Sequence, residues 1–93
     1  MYFLYDAAKS AYNQEKHGIS FDEARGLWND RHLLEMAAAK RGERRRMVIA
    51  RMDGTYWSAI ITYRGAAIRI ISVRRSTKKE ARLYDQHDNR RKP

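Results

Sequence analysis

No cysteine occurs among the 93 residues, which excludes disulfides, thiolate zinc sites and a thiol nucleophile. No apolar run approaches the roughly 20 residues of a membrane-spanning helix. The opening Met1-Tyr2-Phe3-Leu4-Tyr5-Asp6 also lacks the basic region and long apolar segment of a secretory signal, so a cytoplasmic protein without membrane contact is expected. The three histidines and the scattered carboxylates fall in no recognisable ligand spacing, so neither a metal nor a cofactor is expected. Internal repeats, low-complexity segments and helix-turn-helix spacing are absent too, and a DNA-binding regulator therefore ranks last among the functions considered.

Positive charge is what the chain has in excess. Lys and Arg total 20 against 11 Asp and Glu, a net charge of +9 and a pI near 10.3. Such an excess favours polyanions, because each phosphate neutralised releases condensed counterions. The length allows one domain with one modest core.

In chain order, Tyr2 to Tyr5 reads as an edge strand and Asp6 as the N-cap of a helix over Ala7–Lys16, closed by Gly18. Lys16 and His17 then stand in or just after the last turn, where the carbonyl end of a helix favours cations. Ser20 and Glu23 form a capping box, and Ile19 is placed to staple against Ala24, so a second helix runs to about Trp28 and buries Phe21, Ala24, Leu27 and Trp28. Arg31–Ala38 is read as a strand, Lys40–Arg46 as a charged loop and Met47–Met52 as a strand. Asp53-Gly54 is a two-residue hairpin signal. Thr55–Tyr63 follows, with Trp57, Ala59, Ile61 and Tyr63 on one face and Tyr56, Ser58, Ile60 and Thr62 on the other. Arg64-Gly65 turns the chain into Ile68–Val73, a strand apolar on both faces and therefore central.

At Ser76-Thr77 the pattern changes. Thr77 with Glu80 fits a capping box for a helix over Lys78–His87, so Arg74, Arg75, Lys78 and Lys79 gather where a strand ends and a helix begins. Unpaired N–H groups and a positive dipole end there suit a phosphate; a solvated basic rim explains the same spacing. The sum is α+β: a short N-terminal strand, two helices, an antiparallel meander and a C-terminal helix, forming one domain over 1–87 with a basic flexible tail at 88–93.

Asp6, Lys9 and Asn13, then Lys16-His17-Gly18-Ile19-Ser20-Phe21-Asp22-Glu23-Ala24, together with Glu43-Arg44, Arg64, Arg69-Ile70-Ile71-Ser72-Val73-Arg74, Glu80 and Tyr84, resemble the BrnT toxins over nearly the whole chain. The resemblance implies a RelE-like fold and a small ribonuclease, the toxic half of a type II toxin–antitoxin pair. It also implies a BrnA-like antitoxin that binds and blocks the toxin and supplies any contact with DNA. The family usually carries Trp where Tyr5 stands and Ala where Ser76 stands.

Cleaving RNA without a metal needs an in-line 2′-hydroxyl, a group to take its proton, cations for the phosphorane and a proton for the 5′ oxygen. Arg64, Arg69 and Arg74 are assigned to the phosphate, since a planar guanidinium binds two phosphate oxygens at once. Lys16, Arg75, Lys78 and Lys79 are assigned to RNA binding. His17, Glu80 and Tyr84 are the candidates for proton transfer, with His17 first because imidazole titrates nearest neutral pH. Plainer roles stand beside these: Arg69 bridging to Glu43, Tyr84 in the core, Glu80 as a cap only, His17 as a helix end. A non-catalytic RNA- or ribosome-binding module, stacking bases on Tyr56, Trp57 and Tyr63, is the alternative.

Overall fold

The computed structural model describes residues 1–38 and 44–91. Five strands form one sheet in the order β1-β5-β4-β3-β2, where β1 is Tyr2–Leu4, β2 Leu34–Ala37, β3 Arg46–Met52, β4 Thr55–Arg64 and β5 Ala67–Arg75. β2 to β5 pair antiparallel and β1 joins β5 in parallel. Helix α1 spans Ala7–His17, α2 Phe21–Ala24 and α3 Lys78–Arg91, and a 3-10 turn occupies Arg25–Asn29. The α+β class and the strand, helices, meander and final helix read from the sequence are the architecture observed.

Local signals account for these boundaries. Asp6 accepts the Lys9 N–H at the start of α1, and Gly18 closes it at φ 80°. Ser20 and Glu23 make the reciprocal capping box before α2, and Thr77 and Glu80 make the same exchange before α3, with bonds of 2.9 and 3.1 Å. Asp53 and Gly54 both adopt positive φ, 53° and 81°, the pair of left-handed residues that a tight hairpin matching strand twist requires. Several boundaries differ from expectation: the strand read over Arg31–Ala38 begins only at Leu34, and the one read over Ile68–Val73 runs on to Arg75. The second helix tightens into a 3-10 turn after Ala24 and ends at Asn29. α3 continues past His87 to Arg91, and Asp88 lies in it with a carboxylate oxygen 3.0 Å from His32 Nδ1. The charged loop expected over Lys40–Arg46 falls largely outside the described residues, as does any bridge from Glu43.

The two faces of the sheet are covered unequally. On one, Val48, Ala50, Trp57, Ala59, Ile61, Ile68, Ile70 and Val73 meet Ile19, Phe21, Ala24 and Leu27 in the hydrophobic core. Phe3 and Trp28 pack edge to face on its margin, 5.0 Å apart. On the other, α3 crosses near the Asp53-Gly54 end: Tyr84 packs edge to face on Tyr56 at 5.6 Å and Glu80 accepts from Ser58 at 2.8 Å.

β5 has β1 beside it only along Ala67–Arg69. Farther on, the side chain of Asn13 in α1 takes the place of a neighbouring strand. Its Nδ2 donates to the Val73 carbonyl at 2.9 Å and its Oδ1 accepts the Val73 N–H at 3.2 Å. The same Nδ2 also donates to the Ile19 carbonyl at 2.8 Å, so one buried amide ties α1, β5 and the approach to α2 together. Ser10 Oγ accepts the Phe21 N–H at 2.9 Å, fastening the same helix to α2.

Candidate functional site

Strand alternation alone puts Arg69 and Arg74 on opposite faces, since they stand five positions apart. β5 breaks the alternation. Ile61 pairs with Ile70 but Ile60 pairs with Ser72, so Ile71 is the extra residue of a bulge. Beyond it, Ser72 and Arg74 return to the face that carries Arg69, opposite Ile60 and Ser58, as a bulge that re-aims side chains does. Arg64 pairs with Ala67 and lies on that face too. Arg64 and Arg69 are therefore diagonal neighbours across the pair, about 7–8 Å apart. Arg74 lies four residues farther along β4, about 13 Å away. The three guanidinium groups form a track along one face. Arg69 borders a cavity of about 300 Å³ with Leu4, Tyr5 and Asp6.

Where the track meets α3, charge is organised tightly. Arg74 binds Glu80 end-on, Nη1 to Oε1 at 2.8 Å and Nη2 to Oε2 at 2.9 Å. Oε1 also accepts from Ser58 Oγ at 2.8 Å and from the Thr77 N–H at 2.9 Å. Ser58 Oγ is 2.7 Å from Ser76 Oγ, so Ser76 joins this network. The Arg74 guanidinium above all, then the Thr77 N–H and the Ser58 hydroxyl, outweigh burial and hold the Glu80 carboxyl down at about 2. The same carboxylate raises Arg74. Near neutral pH Glu80 is an engaged anion and a very weak proton acceptor. The anion expected at the start of α3 is thus partly supplied by the chain itself.

Tyr84 is 3% exposed, and its hydroxyl donates to Asp30 Oδ2 at 2.7 Å. Burial first, then the Asp30 carboxylate, push the phenol well above its ordinary value. Burial pushes Asp30 up, but the N–H groups of Arg51 and His32 and the Tyr84 hydroxyl more than offset it, and its pKa is lowered. Sequence reasoning missed Asp30, although an Asp just after an Asn at a helix end is a common turn signal. It is the junction of α3, β3 and the segment leading into β2.

The remaining candidates divide between the faces. Arg75 points the other way from Arg74, with its guanidinium 5.8 Å from the centre of the Trp57 ring. Trp57 is itself only 8% exposed, which leaves no free ring face for a base. Tyr56 is held by Asp85 at 2.8 Å, whereas Tyr63 is 48% exposed and donates to Glu35 at 2.7 Å. Lys78 and Lys79 are exposed at the start of α3. Lys16 is exposed, with Nζ 5.8 Å over the Tyr12 ring.

His17 is half-buried at the end of α1, and among the described residues no hydrogen bond or ion pair joins it to Arg64, Arg69 or Arg74. Its position follows from the course of the helix. The N-cap Asp6 borders Arg69 and Asn13 bonds Val73, so α1 follows β5. His17 is four residues, or about 6 Å, beyond Asn13 along that helix. Among the described residues, no three His, Asp or Glu side chains gather closely enough to hold a metal ion, and no helix is long and apolar enough to cross a membrane.

Comparison with known proteins adds one finding. A search of curated proteins gave no match. A family model described as the ribonuclease toxin BrnT of type II toxin–antitoxin systems matches residues 5–80, a span that includes α1, the whole sheet from β2 to β5, the arginine track and Glu80. The chain belongs to the BrnT family of ribonuclease toxins.

Proposed function

We propose that this protein is a metal-independent RNA endonuclease of the cytoplasm, which stops translation and growth by cutting cellular RNA and is neutralised by a BrnA-like antitoxin. The observation that carries the reading is the bulge at Ile71, which puts Arg64, Arg69 and Arg74 on one face of the sheet in a chain of a ribonuclease-toxin family. A single RNA strand laid along β5 would meet these cations in succession, and Lys78 and Lys79 would extend its contacts beyond Arg74.

In this reading the scissile phosphate sits at Arg74 and His17 reaches it from the end of α1. The 2′-hydroxyl attacks in line as the bond to the 5′ oxygen breaks; His17 makes one of the two proton transfers, from the 2′ oxygen or to the departing 5′ oxygen, water makes the other, and guanidinium charge stabilises the phosphorane. Products then end in 2′,3′-cyclic phosphate and 5′-hydroxyl. Glu80 and Tyr84 act through the groups they hold, because the first is an ion-paired anion and the second is bonded inward to Asp30. The antitoxin covers the arginine track, since an inhibitor gains most by occupying the strongest positive field.

The same internal pairing of Glu80 and Tyr84 favours the alternative of a non-catalytic RNA- or ribosome-binding module, and one experiment separates the two. Purified protein is incubated with RNA in a chelator. Cleavage to cyclic-phosphate ends, reduced about 100-fold or more by His17→Ala while RNA binding survives, or by Arg74→Ala at protein concentrations that saturate the RNA, supports the endonuclease. Intact RNA, or cleavage that needs a divalent ion, overturns it. Growth arrest on expression, relieved by co-expressing the neighbouring antitoxin reading frame, tests the proposed partner.

A further inference from the structure

We infer that Glu80 and Ser58 are positioning residues: together they hold the Arg74 guanidinium so that its Nε–Nη2 edge faces the RNA phosphate, and neither transfers a proton. This rests on the reading of Arg74 as a phosphate ligand. The geometry is specific. A guanidinium has five N–H donors. Arg74 spends one on each Glu80 oxygen and a third, from Nη1, on the Arg75 carbonyl at 3.2 Å. Among the described residues the two without a partner are the Nε–H and the second Nη2–H. These lie side by side on one edge of the planar fork, the arrangement that takes two oxygens of one phosphate.

Glu80 is in turn fixed from behind. Ser58 is 2% exposed, and its hydroxyl donates to Oε1 while touching the Ser76 hydroxyl. The Thr77 N–H closes the same oxygen. Glu80 therefore cannot swing away without leaving buried polar groups unpaired, and Arg74, otherwise a long mobile side chain on a strand end, is orientated before RNA arrives. The side chain of Arg74 is 39% exposed against 13% for Glu80, so the arginine faces outward and the carboxylate inward. Preorganisation of this kind is where most of the value of an electrostatic ligand lies. A saturated, ion-paired carboxylate has no part to play as general base.

The test uses the full chain and an RNA oligonucleotide methylated at every 2′-oxygen, which binds but cannot be cut, with affinity read by fluorescence anisotropy. Arg74→Lys should weaken binding about tenfold, the loss of one charge-assisted bidentate contact. Glu80→Gln should weaken it about three- to tenfold and Ser58→Ala about threefold. Each should have no further effect in the Arg74→Lys background. On cleavable RNA, Glu80→Gln should leave the pH profile of kcat unchanged in shape. Losses that multiply with Arg74→Lys would overturn the inference. So would tighter binding by Glu80→Gln, which would make the carboxylate a competitor of the phosphate, or the disappearance of one limb of the pH profile. Ser58→Ala keeps the helix cap and both charges, so it reads the coupling even where Glu80→Gln disturbs folding. A wild-type protein that binds the methylated RNA with this coupling but never cuts RNA leaves the positioning intact and removes the endonuclease. Cleavage with additive losses does the reverse.

Discussion

Two helices are fastened to β5 by opposite kinds of chemistry. α1 is held by Asn13, a neutral amide 5% exposed that bonds both backbone groups of Val73. α3 is held next to it by Arg74 and Glu80, a charged pair with the arginine partly in solvent. The first device is indifferent to pH and salt, and all its donors and acceptors are turned inward. The second depends on the charge state of a carboxyl and leaves its arginine partly in solvent. Structural fastening and the proposed phosphate contact thus involve adjacent residues of one strand, Val73 and Arg74.

The comparison can be broken most severely at Asn13. Asn13→Ala leaves the Val73 N–H and carbonyl and the Ile19 carbonyl without their partner in a dry place, and should cost about 2–4 kcal/mol of stability in urea denaturation. A loss under about 1 kcal/mol would mean that water or another group serves the edge of β5 equally well. The second test is acid. The folded value of Glu80, about 2, lies below the ordinary 4.5. Its contribution is therefore complete above about pH 4.5 and is lost as pH falls through 2. With solvent screening on the Arg74 side, about 1–2 kcal/mol of stability should disappear over that window. Glu80→Gln should flatten the pH dependence there, while Asn13→Ala lowers stability equally at every pH. The smallest effect is expected at the far end of α3, where Tyr84→Phe removes the hydroxyl from Asp30 but keeps the ring on Tyr56. Thermal denaturation should show a loss of about 1 kcal/mol; no change would mean that ring packing alone secures the helix.

Much of the architecture is legible because its signals are local. Ser20 with Glu23, Thr77 with Glu80, and Asp53-Gly54 each specify a cap or turn within four residues, and each forms as read. What escapes is set by contacts distant in sequence. Ile70 and Ile71 are equally good strand residues, so nothing nearby marks the second as the bulge; its position is settled by the pairing of Ile61 with Ile70 and of Ile60 with Ser72. The 3-10 turn after Ala24 and the run of α3 past His87 likewise follow from packing and from Asp88 beside His32. At the candidate site the residue types are visible, but their engagements are not. Glu80 reads correctly as a cap, yet its grip on Arg74 spans a strand end, a turn and a helix start, and no helical or strand periodicity encodes that. Arg74 and Arg75 look alike as neighbours in sequence, while alternation sends one to Glu80 and the other to Trp57.

The amide of Asn13 has a consequence for how this protein behaves in a crowd. A nine-residue strand with only three residues paired on its outer side would ordinarily offer a row of hungry backbone groups to any passing chain, the usual beginning of edge-to-edge polymerisation. Here the row is interrupted at Val73 by a side chain that cannot propagate it, and the sheet's own outermost strands, of three and four residues, are too short to template a stack.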